Sequence, residues 1–414
     1  MTFVKSINEK TSPKQIDLQL DELEALAFGA TSGDIAVATG AEISLVGGTM
    51  KGIYDLSDGH LTYCLALPGQ PRPTEFSTPA GTLQTLVKLE RFTTGEQEIE
   101  KALRSAGAQI YHDQIGWITS IVYEEAAGAN EIVRLASELN KLRTLYIESE
   151  SLTDEGVKHI AGMGHLGSLK LESSQITDAG LAPIAGVETL VTLEIHGEQI
   201  TDASLDHVGG LQELYVLNFS NSKITDAGLH KITALQGLDS LRLNGTLVTD
   251  SGLRTILKMP ELKFVHLADT AITDEGVAII SRLPLLQDLS LSGTAVTDVG
   301  LSHLAAVEDL RELDLADTAV SDAGLKHLVA AKKMRSLNLN GTDITDESLR
   351  FIAATYPELW ALRVRDTDGL TDEGLEDLQT LQKLNQLYVT PDQFRNDTLL
   401  KLSILINRLN IRNR

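Results

Sequence analysis

A Thr-Asp doublet recurs through most of the chain at a step of 24 residues, which becomes 26 only before the last doublet. It first appears at Thr153-Asp154 and last at Thr371-Asp372, and Ser321 replaces the threonine once. A period of 20 to 29 residues with leucines at constant phases is typical of a repeat solenoid. Each such repeat buries its apolar side only against its neighbours, so most of the chain is surface. We therefore expect the protein to bind a partner rather than to catalyse a reaction.

Residues 177–200 show what one repeat predicts. Leu181, Ile184 and Val187 lie three residues apart, which indicates a short helix with one apolar stripe. Leu193 and Ile195 alternate with polar residues, the period-2 pattern of a strand. The predicted fold class is therefore α/β, a solenoid with parallel strands on its concave face and helices on its convex face.

Two threonine positions in each repeat are predicted to satisfy backbone groups. The Thr-Asp doublet lies where the turn becomes the helix, so both side chains are expected to cap that helix. The glycine that follows, as in Gly180, would allow the neighbouring turn to approach closely. A second series is predicted to place buried hydroxyls against the adjacent turn: Thr246, Thr270, Thr294, Thr318, Thr342 and Thr367.

Charge and composition exclude several classes of partner. The chain has 414 residues and a net charge of −23, which argues against nucleic acid because phosphates would be repelled. The single cysteine, Cys64, permits no internal disulfide. No stretch approaches 18 apolar residues, so no membrane insertion is expected. The first 20 residues contain no signal-peptide core, and a cytoplasmic location is the default expectation.

Units such as LSGTAVTDVGLSHLAAVEDLRELDLADT, residues 291–318, carry a family resemblance. They resemble the acidic bacterial leucine-rich repeats of 24 residues that are abundant in planctomycetes, with Thr or Ala at the cysteine positions of the related F-box adaptor repeats. The resemblance covers about residues 117–390. It implies about ten repeats after a degenerate first one, and it says little about function because the family is defined by its scaffold.

A second resemblance lies near the N-terminus. SPKQIDL at 12–18, KGIYDLSDGHLTYCLALPGQPRPTEFST at 51–78 and LVKLER at 86–91 are similar to a lipocalin-like β-rich domain of planctomycete proteins. That domain has no assigned activity. The match begins partway into the family domain, which leaves open whether the barrel is complete.

These features predict four segments along the chain. Residues 1–92 would form the lipocalin-like β module, and residues 93–116 an N-terminal capping helix and linker. Residues 117–390 would form the leucine-rich-repeat solenoid. Residues 391–414 are predicted to be a basic amphipathic cap helix.

The candidate binding site consists of polar and aromatic residues that alternate with the strand leucines. These positions vary while the rest of the repeat stays regular, as a recognition surface requires and as an unconstrained solvent face also shows. Phe264 is expected to be exposed on a polar sheet, and aromatic residues and arginine are frequent interface anchors. The predicted partner-binding residues are Tyr146, His196, Arg242, Phe264, His266, Asp288, Glu312, Asp314, Arg363, Arg365 and Tyr388.

No pattern in the sequence indicates catalysis, a cofactor or a metal. Four histidines share one phase on the helix side, but no converging ligands accompany them. We therefore predict a non-enzymatic scaffold that binds an unidentified protein on the concave face. The alternative is a carrier that binds a small apolar ligand in the N-terminal β module, with the repeats as a localising arm.

Overall fold

The structure is a computed structural model. It describes residues 94–414 except 115, 391–392, 407–408 and 413–414, together with the backbone of six strands between residues 16 and 90. The chain divides into two compact units. The first comprises Met1–Tyr123 with Glu138–Leu145, and the second comprises Glu124–Ser137 with Tyr146–Arg414.

The N-terminal part of the first unit contains two small sheets. In one, β1 pairs in parallel with β2, and β2 pairs antiparallel with β3. In the other, β4, β5 and β6 form an antiparallel meander. A lipocalin-like barrel and a ligand cavity would involve residues outside the described part of the chain. The strands are β1 Ile16–Leu18, β2 Ile43–Leu45, β3 Gly48–Met50, β4 Gly52–Ser57, β5 His60–Ala66 and β6 Gln84–Glu90.

The remainder of the first unit begins with helix α1, Thr94–Ser105, where the sequence predicts a capping helix. Strand β7, Gln109–His112, follows and pairs antiparallel with β8, Ile118–Tyr123. The linker expected before residue 117 thus includes a strand. Only Ile110 of β7 is buried, so its apolar alternation is too short to be recognised from the sequence.

A long parallel sheet organises the repeats. From β10 to β20 each strand pairs in parallel with the next, and the register advances by one repeat at every step. The middle residue of each short strand is apolar and buried, as Leu289 and Leu313 show. The strands are β9 Thr144–Glu148, β10 Ser168–Glu172, β11 Thr192–His196, β12 Val216–Asn218, β13 Ser240–Arg242, β14 Phe264–His266, β15 Asp288–Ser290, β16 Glu312–Asp314, β17 Ser336–Asn338, β18 Ala361–Val364, β19 Gln386–Val389 and β20 Asn410–Arg412.

The segments between these strands carry α-helices and 3-10 helices. The 3-10 form fits the spacing of Leu181, Ile184 and Val187, because three residues make one 3-10 turn. The α-helices are α2 Ala129–Ala136, α3 Asp154–Val157, α4 Asp226–Leu229, α5 Asp250–Ile256, α6 Asp274–Ile280, α7 Asp298–His303, α8 Asp322–Leu325, α9 Asp346–Thr355, α10 Asp372–Asp377 and α11 Asn396–Leu405. The 3-10 helices are Lys158–Gly162, Asp178–Gly186, Asp202–Asp206, His230–Ile232, Leu304–Ala306, Lys326–Ala330 and Leu378–Thr380.

The C-terminal segment differs from the single helix that the sequence predicts. Helix α11 ends at Leu405, and strand β20 then pairs with β19 in the same parallel register. Asn410 lies opposite Gln386, which is the repeat step of 24 residues. Residues 391–412 therefore contribute one more helix and strand of the repeat, although Arg395-Asn396 replaces the Thr-Asp doublet.

Hydrogen bonds between the doublets link successive repeats. The threonine or serine is the residue before the helix, and in eight repeats its hydroxyl accepts the N–H two residues later at 3.2–3.3 Å. The aspartate carboxylate accepts the N–H and the hydroxyl of the next doublet, at 2.7–2.9 Å and 2.5–2.7 Å. The aspartate thus caps the helix of the following repeat, not the helix that it begins.

Glycine makes this contact possible. A Cβ atom added to Gly276 or Gly300 would overlap the carboxylate of the preceding doublet. Where Ser348 replaces the glycine, its hydroxyl instead donates to Asp322. The close approach predicted for this glycine is therefore to an aspartate side chain.

The second threonine series is buried. The hydroxyl of Thr342 donates to the carbonyl of Leu339 at 2.6 Å, and the five other members make the same bond three residues back. The predicted role of these hydroxyls in satisfying turn backbone groups agrees with this geometry.

Candidate partner-binding face

The first and third residues of the short strands point away from the buried leucines. We call this side of β9–β20 the strand face. Because the strands are in register, the positions form two rows that cross the sheet. The first row runs from Ser240 through Phe264, Asp288, Glu312, Ser336, Ala361 and Gln386 to Asn410. The third-position row runs from Arg242 through His266, Ser290, Asp314, Asn338, Arg363 and Tyr388 to Arg412.

Ion pairs link the charged side chains at the beginning of the face. Lys170 lies 3.1 Å from Glu148 and 3.2 Å from Glu172. His196 Nδ1 is 3.2 Å from the same Glu172 carboxylate. Tyr146 is half-buried, and its hydroxyl lies 3.1 Å from Ser168 Oγ. These contacts between adjacent strands are cross-strand pairs, which stabilise a sheet locally.

The centre of the face is acidic. Asp288 and Glu312 are register partners, and Asp314 lies two residues further along β16. Partial burial and then the charge of Asp288 raise the pKa of Glu312 above its ordinary value. Burial also raises the pKa of Asp314, although the N–H of Ala316 and the charge of Arg363 oppose the shift. Carboxylates in this state gain from a cation placed beside them.

Three further predicted residues flank the acidic centre. His266 Nε2 lies 3.2 Å from Asp288 Oδ2 on the adjacent strand. Arg242 is half-buried in register with His266. Phe264 is also half-buried, which corrects the expectation of an exposed ring. Its neighbours Ser240 and Asp288 lie directly opposite on the adjacent strands.

The last three strands carry a group of arginines around one aromatic ring. The guanidinium carbons of Arg363, Arg365 and Arg412 lie 4.9, 5.3 and 5.5 Å from the centre of the Tyr388 ring. The Tyr388 hydroxyl donates to Gln386 Oε1 at 2.7 Å, which fixes the ring. We call these four residues the arginine–tyrosine cluster. Arg412 was absent from the predicted site because residues 391–414 were expected to be a helix.

A groove of about 620 Å³ adjoins the cluster. Trp360, immediately before β18, lines it with Arg363 and Glu312 and is 47% exposed. Trp360 was not among the predicted binding residues, because those were only the positions that alternate with the strand leucines. One signal was available, since tryptophan stands where the three preceding repeats have Gln287, Arg311 and Arg335.

The described part of the chain contains no group of three histidine, cysteine, aspartate or glutamate side chains arranged to hold a metal ion. Among its helices, none combines the length and the apolar character that crossing a membrane requires. Of the predicted site residues, Asp288, Glu312 and Asp314 form the acidic centre, and Arg363, Arg365 and Tyr388 belong to the arginine–tyrosine cluster. Arg242, Phe264 and His266 flank the acidic centre, while Tyr146 and His196 lie apart from both groups.

Comparison with known proteins supports the class that the fold defines. Leucine-rich repeats are present at residues 282–305, 308–329 and 330–353, and the long parallel sheet with its intervening helices is an α/β solenoid of this type. No relative is found among curated protein sequences.

Several solved structures are similar to the chain. An internalin (inlF) of Listeria monocytogenes is 20% identical, with a TM-score of 0.48, over 77% of this chain and 94% of that one. A second Listeria internalin (inlC2) is 24% identical, with a TM-score of 0.41, over 57% and 92%. A chain of the yeast complex of Rad7 and Elc1 is 18% identical, with a TM-score of 0.47, over 69% of this chain and 84% of that one.

Proposed function

We propose that the protein is a non-enzymatic scaffold that binds a protein partner on its strand face, between β14 and β20. One observation carries the proposal: Trp360, Tyr388 and three arginines gather beside one groove. Tryptophan, tyrosine and arginine dominate the binding energy of protein interfaces. Their concentration on one end of the sheet distinguishes it from the beginning, where ion pairs satisfy the charged side chains.

The mixed charge of the face supports a protein partner. The acidic centre on β15 and β16 lies two or more strands from the arginine–tyrosine cluster, about 10 Å at the usual strand spacing of about 4.8 Å. A partner that presents both signs of charge would be complementary to both regions. Complementarity of this kind favours specificity and association rate.

The test compares Trp360→Ala with Val299→Ala, which removes an exposed apolar side chain from the helix side. Each full-length variant is used as bait in lysate of the native organism, after circular dichroism confirms that it is folded. Trp360→Ala should reduce recovery of the proteins captured by wild type at least tenfold, and Val299→Ala should leave recovery unchanged. Equal recovery by the two variants would contradict the proposal.

A further inference from the structure

We infer that the arginine–tyrosine cluster is an anion-binding site, which takes the carboxylates of an acidic segment of the partner protein. This inference deepens the proposed function and rests on it, because the segment would dock on the same strand face. It adds the chemical class of the partner group, the residues that bind it, and the direction in which the segment lies.

Like charge is concentrated in the arginine–tyrosine cluster. Three guanidinium groups lie within 5.5 Å of the centre of one ring. Cation–π contact contributes only about 0.5–2 kcal/mol per pair, and it leaves the net charges of Arg363 and Arg412 in place. Among the residues that the structure describes, no carboxylate lies within 4.0 Å of Arg363 or Arg412. Carboxylates bound to these guanidinium groups would relieve their mutual repulsion.

The geometry of the side chains in the cluster also favours an anion. Arg363, Tyr388 and Arg412 are register partners on three consecutive strands, so the tyrosine stands between two guanidinium groups. Arg365 donates to the backbone carbonyl of Arg412 at 3.3 Å, which orients its guanidinium group. Arg412 is exposed and can be approached from solvent. Guanidinium groups bind carboxylates through two parallel hydrogen bonds, which favours a planar anion here.

The charge of the rest of the protein limits the kind of anion that the cluster would bind. A net charge of −23 would repel an extended polyanion such as nucleic acid, whereas a short acidic segment needs only the local field of the cluster. The acidic centre at Asp288, Glu312 and Asp314 sets the polarity of the segment. The carboxylates of the partner's segment would lie on the arginines. Basic residues three to five positions away in that segment would reach the acidic centre, at about 3.3 Å per extended residue.

The probe for the experiment is a labelled synthetic peptide with three glutamates, a three-glycine spacer and two lysines. Its affinity is measured by fluorescence anisotropy with the full chain at low ionic strength. The test variant is Arg363→Gln with Arg412→Gln. The control is Arg282→Gln with Arg350→Gln, two exposed arginines away from the strand face that give the same change in net charge.

We expect the test variant to bind the peptide at least tenfold more weakly than wild type, and the control to bind within twofold of wild type. Equal weakening in both variants would overturn the inference, because it would show non-specific attraction. Binding of a phosphoserine peptide but not of the glutamate peptide would overturn the assignment of carboxylates. Loss of capture by Trp360→Ala together with no peptide binding would overturn the anion site alone and leave the proposed function standing.

Discussion

The carboxylate of Asp274 accepts two hydrogen bonds from Thr297 of the next repeat, from its N–H at 2.8 Å and from its hydroxyl at 2.7 Å. It also accepts the N–H of Gly300 at 2.9 Å. The two bonds from the N–H and the hydroxyl recur between every successive pair of doublets from Asp154 to Thr371. At the two ends, Asn130 and Arg395 take the place of one partner. The doublet therefore holds neighbouring repeats together as well as starting each helix.

Asp274→Ala should lower the free energy of unfolding by about 3 kcal/mol, because it leaves the N–H groups of Thr297 and Gly300 without their charged acceptor. Urea unfolding followed by circular dichroism measures the change. The control is Asp343→Ala, an exposed aspartate in a turn, which should change stability by less than about 0.5 kcal/mol. Similar losses in the two variants would mean that the inter-repeat bonds contribute little.

Gly276→Ala should destabilise the protein by about 2 kcal/mol, because its methyl group would overlap the Asp250 carboxylate and Ile272. Gly186→Ala is the matched change, since no atom lies within 4 Å of the added Cβ there. Thermal unfolding should show a lower midpoint for Gly276→Ala and an unchanged or slightly higher one for Gly186→Ala. A neutral Gly276→Ala would show that the repeats can separate without cost.

The pKa of Asp322 predicts stability that is lost in acid. Burial alone would raise this pKa, but hydrogen bonds from Ser348 and Thr345 hold it below its ordinary value. A carboxylate with a lowered folded-state pKa stabilises the protein above the unfolded value of about 3.9, and this contribution disappears as the pH falls through the folded value. Asp322→Asn should therefore be less stable than wild type at pH 7. The difference should shrink below pH 4 in urea titrations, and a constant difference would contradict the expected linkage.

Asp314→Asn should have the opposite effect. Burial raises the folded-state pKa of Asp314, so its ionisation at neutral pH costs folding free energy, and the cost grows as the pH rises through that pKa. The amide can still accept the N–H of Ala316 through its oxygen. We expect this variant to be more stable than wild type at pH 7 and indistinguishable from it below about pH 4. Urea midpoints at the two pH values measure this, and a loss of stability at pH 7 would refute the prediction.

The repeat geometry could be predicted from the sequence because its signals are periodic. Alternating leucines give the strands, and the fixed step gives their register, as the pairing of Asp288 with Glu312 shows. The partner of each aspartate was not predictable in this way. An aspartate suits the capping of its own helix and of the helix in the next repeat equally well. Which of the two helices it caps depends on the distance between stacked repeats.

The candidate site was less predictable, for three physical reasons. The burial of Phe264 depends on neighbouring side chains, which a strand pattern does not specify. Arg412 joined the cluster only after strand β20 replaced the end of an expected helix. Trp360 lies one residue before its strand, outside the alternation that selects face residues. Each depends on contacts between repeats, whereas periodicity describes one repeat at a time.

Site-specific photocrosslinking tests the use of the strand face most directly. A photoreactive residue is placed at Ser336, which lines the groove, or at Arg282, which is exposed away from the strand face. Both full-length proteins are irradiated in lysate of the native organism. We expect a discrete protein adduct from position 336 and none from position 282. An adduct from position 282 alone, or equal adducts from both positions, would contradict binding on the strand face.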